Sequence, residues 1–280
     1  MKWRMFICAI CFLIGGCSLN IPLEDQFSDP DAITDVLSAR SLLASAYKAM
    51  PQQIFQLSVL SDDFCPSQHL NKDMSLQGLY NWREVEMTEL AGTLWAGYYA
   101  VIAEVNALLA RIDAVVTLDE TEKLEKMRIV CEAKALKSWC YFDLLRLFAP
   151  RYEGNENKDG IILKKRVELD FLPRSSVKEC VTEIRTLLNE ARNVDNTQKN
   201  VYWLSDKAVA YLQVELELYA GNYPAVLELT KDLETEYPES VLGADVYKYL
   251  WSSENSDARI FGKYQLEQIY MDIRFDTFEK

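Results

Sequence analysis

The sequence has few of the residues from which enzyme active sites and cofactor sites are usually built. Its 280 residues include one histidine and ten glycines. The glycines form neither a GxGxxG nor a GxxxxGK[ST] pattern, which excludes a phosphate-binding loop. The histidine, His69, has Asp73 four residues later but no serine or cysteine in a recognisable nucleophile setting, so we interpret it as a solvated loop residue. We therefore predict a protein that is not an enzyme.

Basic residues are also scarce relative to acidic ones. The chain carries 30 lysines and arginines against 43 aspartates and glutamates, a formal net charge of −13 at pH 7. Such a surface repels phosphate backbones and anionic lipid headgroups, so we expect no nucleic-acid partner. With this many carboxylates, close pairs are unavoidable, and their presence does not by itself indicate a glycosidase.

The first seventeen residues have the pattern of an export signal. Lys2 and Arg4 precede the apolar run Met5–Ile14, which spans about 15 Å as a helix and is too short to cross a bilayer core of about 30 Å. The small residues before Cys17 resemble a bacterial lipobox, in which the cysteine is acylated. We predict a signal peptide over 1–16, a lipidated Cys17 and a tether over 17–28. The alternative is an ordinary cleaved signal that happens to contain Cys17.

Cysteine usage beyond the signal gives no metal or redox motif. After residue 17 there is no CxxC pair and no histidine-rich cluster, so we expect no metal and no cofactor. Cys131 and Cys140 lie about 13 Å apart along one predicted helix and on opposite faces, so they cannot pair with each other. We favour buried thiols, while disulfides among the remaining cysteines stay open (Cys65, Cys131, Cys140 and Cys180).

Apolar residues recur at helical spacing through most of the chain. Helices are predicted over residues 30–50, 90–115, 122–148, 177–191, 205–219 and 224–237. Asp29 is the predicted N-cap of the first helix, which is expected to bury Ile33, Val36, Leu37, Leu43, Ala44 and Tyr47. Residues 207–238 match the spacing of a tetratricopeptide repeat (TPR). We predict an all-α domain over 29–280, a TPR-like superhelical bundle of stacked antiparallel helix pairs with long loops.

Several segments, in one order along the chain, resemble a known family. They are Leu94-Trp95 through Asn106 ("LW..YY.I...N"), Glu132 through Leu145 ("EA.ALRA..YF.LL", with Lys137 and Ser138 in place of Arg-Ala), Asp159–Leu163, Pro173–Val177, the tether after Cys17, and Ile260-Phe261. The chain is similar to the SusD/RagB-like outer-membrane nutrient-binding lipoproteins of Bacteroidetes. Family members are usually about twice as long, so the chain is expected to carry the N-terminal, TPR-containing portion. A natural short relative, a split gene and a truncation all stay open.

The stretch between the first two predicted long helices is the candidate binding site. Running from Asp62 to Glu89, it is longer than a passive connection and is rich in aromatic, amide and basic side chains. Flat aromatic faces and planar hydrogen-bonding groups suit carbohydrate recognition, and the resemblance places glycan contacts of the family partly in this region. The predicted site residues are Tyr80, Trp82, Arg83, His69 and Asn71. The alternative role for Trp82 is to pin the loop to the bundle. Trp95 and Trp139 are predicted to be core residues, and Trp203 is left open.

The resemblance implies a lipid-anchored protein of the outer membrane, facing the cell surface. It would bind an oligosaccharide or a peptide without catalysis and work in nutrient uptake with a SusC-like TonB-dependent transporter. The alternatives are a TPR-type lipoprotein scaffold that binds proteins, a truncated relative without ligand binding, and a helical glycosidase.

Overall fold

Helices make up the regular structure of the computed structural model, which describes residues 33–64, 74–168, 170–192 and 202–236. Within these ranges the α-helices are α1 (Val36–Lys48), α2 (Ile54–Leu60), α3 (Met74–Tyr80), α4 (Glu84–Arg111), α5 (Glu120–Phe148), α6 (Val177–Ala191), α7 (Asp206–Tyr219) and α8 (Tyr223–Glu236). No β-strand forms over the described residues, and the all-α prediction is confirmed. The predicted signal peptide and tether, and the residues Cys17, Cys65, His69 and Asn71, lie outside them.

Local capping decides where the helices begin. The predicted start of the first helix near Asp29 is wrong, because Asp35 and Ser38 form a reciprocal capping box that begins α1 at Val36. Its buried face is then Val36, Ala39, Leu42, Leu43 and Ala46, and Leu37 is 76% exposed rather than buried. Helix α6 likewise begins at a capping box, in which Ser176 and Glu179 exchange hydrogen bonds.

The predicted long loop over 62–89 is also partly wrong. It contains α3, and α4 begins at Glu84 rather than near residue 90. Two glutamates in the first turn of α4, Glu84 and Glu86, favour this earlier start because they complement the helix dipole. The predicted start rests on apolar periodicity alone. The first buried residue of α4 is Leu90, so the polar turns before it show no such periodicity.

Helices α4 and α5 form an antiparallel pair at the centre of the fold. The Tyr98 hydroxyl donates to Asp143 over 2.9 Å and the Lys137 ammonium donates to Asn106 over 2.6 Å, so residue numbers rise in one helix as they fall in the other. Helix α5 also contacts α1, α6 and α7. It is buried on more than one side, as expected of a helix between neighbours, although Leu147 is 40% exposed.

The segment Glu84–Ala114 is long and apolar enough to cross a membrane by length and composition. However, Val101, Ile102 and Val105 are completely buried within the bundle, and α4 packs on α1 and α5. We interpret α4 as a core helix of the folded domain.

The later helices add successive antiparallel pairs. Arg185 of α6 pairs with Glu217 of α7 at 2.5 Å, and Asn189 of α6 bonds Gln213 of α7 at 2.8 Å, which sets these helices antiparallel. A three-residue turn centred on Gly221 then joins α7 to α8, as the repeat spacing predicts. The stacked, TPR-like arrangement is confirmed over the described helices.

Cysteine and tryptophan side chains in the bundle have structural surroundings. Cys131, Cys140 and Cys180 are buried thiols, as expected. Trp203 packs edge-on against Tyr47, with ring centroids 5.0 Å apart, and the Arg40 guanidinium lies 5.0 Å from its ring. Trp203 therefore joins the core, which settles the open alternative for this residue.

Candidate functional site

The turn between α3 and α4 displays an aromatic side chain on an unusual backbone. The Arg83 N–H donates to the Gly78 carbonyl over 2.9 Å, and the Trp82 N–H donates to the Leu79 carbonyl over 3.0 Å. These two bonds form a Schellman motif, in which the residue at the position of Trp82 adopts a left-handed conformation. Trp82 has φ of 55° and is 62% exposed. The structure thus ends α3 with an outward-facing indole.

Two other helix ends in the chain use the same motif with different residues. At the end of α7 the corresponding position is Gly221, with φ of 72°, and at the end of α2 it is Asp62, with φ of 66°. Glycine adopts this conformation without strain, and aspartate tolerates it better than most residues, whereas other L-residues cost about 1–2 kcal/mol. Trp82 is therefore a locally unfavourable choice, and such outliers are a reason to look for a function.

The other predicted site residues are distributed around this turn. Arg83, the next residue after Trp82, is half exposed, and its guanidinium lies 3.9 Å from the Glu86 carboxylate. Tyr80 is half-buried and packs against the core, so the structure does not add its ring to the exposed face of the turn. The Asn81 amide donates to the Gln77 carbonyl over 2.7 Å and fixes the end of α3.

A second aromatic feature, which the sequence analysis did not identify, lies between α4 and the segment that precedes α6. It is a cleft of about 530 Å³. Its lining consists of Trp95, Tyr99, Ile162, Lys164, Asp170, Phe171, Leu172 and Pro173. Trp95 is half-buried and packs on Phe148 with ring centroids 5.1 Å apart, as the predicted core role requires, and it also lines the cleft. Trp139 is half-buried against the core, as expected.

Hydrogen bonds hold the far wall of this cleft against the bundle. The Tyr99 hydroxyl donates to the Ile162 carbonyl over 2.8 Å and accepts from the Ile162 N–H over 2.9 Å. Burial raises the pKa of Tyr99 to about 12, so the hydroxyl stays protonated and keeps both bonds. The Lys164 carbonyl accepts from Asn106 and Tyr141 at 2.9 and 2.6 Å. These bonds fix the part of the lining formed by Ile162 and Lys164.

Arginine contacts fix the end of the same segment. One nitrogen of Arg174 donates to the carbonyls of Phe148 and Gly160, each at 3.0 Å, and its guanidinium lies 5.1 Å from the Trp95 ring. Gly160 is required there, because a Cβ atom at this position would lie 2.7 Å from the Cys180 sulfur and 3.0 Å from the Ser175 carbonyl. These contacts join two of the segments that resemble the family, residues 159–163 and 173–177.

Over the described residues no group of histidine, cysteine and carboxylate side chains has the arrangement of a metal site. The buried charged groups of the bundle, such as Glu132 and Asp143, pair with Arg40 and Arg146. These groups hold helices together rather than facing the turn or the cleft.

Comparison with known proteins identifies relatives. A SusD-like family model, described as starch-binding associating with outer membrane, matches residues 23–215. A SusD superfamily protein from Bacteroides thetaiotaomicron VPI-5482 has a TM-score of 0.69 at 16% identity, covering 84% of this chain and 54% of that one. A laminarin binding SusD-like protein has a TM-score of 0.60 at 19% identity, covering 80% and 50%. Surface glycan-binding protein A from Bacteroides fluxus has a TM-score of 0.60 at 19% identity, covering 83% and 51%.

At these identities the structural likeness shows the fold. None of the curated proteins matches the sequence. The chain spans about half the length of the solved structures that it matches.

Proposed function

Because the chain belongs to the SusD-like family, described as starch-binding and associating with the outer membrane, we propose that it binds neutral glycans without cleaving them. The ligand stacks on the indole of Trp82, and Arg83 supplies hydrogen-bond donors to its hydroxyl groups. The proposal keeps the sequence-predicted assignment of these two residues to the site. His69 and Asn71, predicted for the same site, lie outside the described residues.

The observation that carries this proposal is the conformation of Trp82. A large aromatic side chain occupies a left-handed position at the end of α3 and is mostly exposed, so it stabilises the folded chain little in return for the strain. Indole faces bind the apolar faces of sugar rings, and a planar guanidinium can bond two adjacent hydroxyls. A neutral ligand is favoured, because a net charge of −13 disfavours anionic glycans.

The cellular setting is part of the proposal. Acylation of Cys17 after removal of residues 1–16 would anchor the protein to the outer membrane, facing the cell surface. From there it would deliver ligand to a SusC-like TonB-dependent transporter. Purification of the tagged full chain in mild detergent should recover such a barrel with it. Recovery of periplasmic proteins without a barrel would instead support a protein-binding scaffold.

The glycan-binding claim is tested with Trp82→Gly. We expect this variant to migrate unretarded in native gels that contain starch or laminarin, whereas the unaltered chain is retarded, because loss of stacking weakens binding at least tenfold. Glycine also relieves the left-handed strain. The free energy of unfolding of the variant, measured in urea, should therefore be about 1 kcal/mol higher than that of the unaltered chain. Loss of glycan binding together with a higher free energy of unfolding cannot be explained by misfolding.

The matched control is Leu118→Ala, which removes another exposed apolar side chain. It should keep full retardation. The proposed glycan binding is contradicted if the unaltered chain is not retarded in native gels that contain any of a panel of neutral polysaccharides. The site is contradicted if Trp82→Gly binds as tightly as the control. Glycan fragments released during prolonged incubation would favour the glycosidase alternative.

A further inference from the structure

The cleft between α4 and the segments 162–164 and 170–173 is separate from the α3–α4 turn. Trp95 lies eleven residues after Glu84, the first residue of α4, which corresponds to about 17 Å along the helix axis. A single small sugar cannot contact Trp82 and Trp95 at once. A ligand in the cleft would therefore bind independently of one at Trp82.

Its size and lining fit a small neutral molecule with apolar faces. The volume of about 530 Å³ lies within the range of ordinary ligand sites. Trp95 and Tyr99 form one aromatic wall, with ring centroids 4.9 Å apart. Lys164 and Asp170 form an ion pair in the lining, so the cleft adds no net charge. These groups offer both a stacking surface and hydroxyl-bonding partners.

Phe171 supplies the feature that points to a ligand. It lines the cleft, yet its side chain is fully exposed. Hydrogen bonds from Tyr99, Asn106 and Tyr141 hold Ile162 and Lys164, which line another part of the cleft, against the bundle. Phe171 and the half-buried Trp95 therefore both line the cleft with aromatic surface, which a flat molecule can cover.

We propose that this cleft is a second carbohydrate subsite, which takes one pyranose unit of a neutral glycan. The sugar ring stacks between Trp95 and Phe171, and its hydroxyls bond the Lys164 ammonium and the Asp170 carboxylate. The inference rests on the proposed function for its ligand class. It uses different residues, so the two can fail separately.

The experiment follows the indole N–H signals of the ¹⁵N-labelled full chain during titration with the methyl glycosides of glucose, galactose and mannose. We expect at least one glycoside to shift the Trp95 signal, equally in the unaltered chain and in Trp82→Gly. Phe171→Ala should weaken this response about two- to tenfold, since it removes one stacking partner. Asp170→Asn should weaken it as well, while Leu118→Ala should leave it unchanged.

The outcomes separate the two claims. If only the Trp82 signal moves, the second subsite is wrong and the proposed function stands. If the Trp95 signal moves although Trp82 takes no part in binding, the subsite stands and the turn site is wrong. The subsite is also overturned if Phe171→Ala responds like the unaltered chain. It is equally overturned if N-acetyl-tryptophanamide shifts the Trp95 signal at lower concentration than every glycoside, which would indicate a peptide pocket.

Discussion

Replacing Arg40 with methionine should lower the free energy of unfolding by about 3–5 kcal/mol. Arg40 lies on α1 and donates to Glu132 of α5 over 2.9 Å. The Glu132 side chain is 1% exposed, so the substitution takes the Arg40 guanidinium away from a buried carboxylate. The Arg40 guanidinium also lies against Trp203, and that contact is lost together with the ion pair.

The measurement is urea unfolding followed by circular dichroism. Lys123→Met is the control, because Lys123 pairs with Glu120 on the exposed face of α5 at 3.5 Å and should change stability by about 0–1 kcal/mol. The double variant Arg40→Met/Glu132→Met should recover a large part of the loss, since it removes the buried charge as well. Equal effects of Arg40→Met and Lys123→Met would show that the buried carboxylate does not control the packing of α1 on α5.

The second large effect concerns pH and Lys137. Its ammonium is buried in the bundle, 2.6 Å from the Asn106 amide oxygen and 5.6 Å from the Tyr141 ring. Burial lowers the pKa of Lys137 from 10.5 to about 8, opposed by the Glu183 carboxylate and assisted by the Lys165 ammonium. Between these two pKa values the unfolded chain binds more protons than the folded chain. Stability therefore rises with pH through this window.

The expected gain between pH 7.5 and 9.5 is about 2 kcal/mol relative to a Lys137→Met variant. Both proteins are unfolded in urea at several pH values, and the difference between their unfolding free energies is plotted against pH. Methionine fills a similar volume and cannot titrate, so contributions from the other groups cancel in this difference. A difference that does not change with pH would mean that Lys137 keeps its ordinary pKa in the folded state.

Sequence periodicity predicted the central helices well, because their residues face one contiguous core. In the predicted helix over 90–115 the apolar residues at helical spacing are buried (Leu94, Tyr98, Val101, Val105, Leu108 and Ile112), and so are those of α6 (Val177, Val181, Ile184, Leu188 and Ala191). The errors occur where local capping competes with periodicity. The capping box formed by Asp35 and Ser38 begins α1 at Val36. The helix then buries the face that contains Val36 and Ala39 and leaves Leu37 exposed to solvent.

The candidate site was less accessible from the sequence. Composition identified Trp82 and Arg83, but the strain at Trp82 depends on α3 ending there in a Schellman motif, within a stretch that was read as loop. The cleft depends on long-range bonds between Tyr99 and Ile162, which no local pattern reports. The sequence feature that relates to the cleft is that the motifs containing Tyr99, Ile162 and Arg174 all resemble segments of one family.

The contact between glycan and Trp82 can be measured directly by chemical protection. The full chain is treated briefly with N-bromosuccinimide, with and without the glycan that retards it in gels, and oxidation of each tryptophan is followed by peptide mass spectrometry. We expect Trp82, which is 62% exposed, to be oxidised quickly in the free chain and at least several-fold more slowly when glycan is bound. Rapid oxidation of Trp82 in the saturated complex would contradict it.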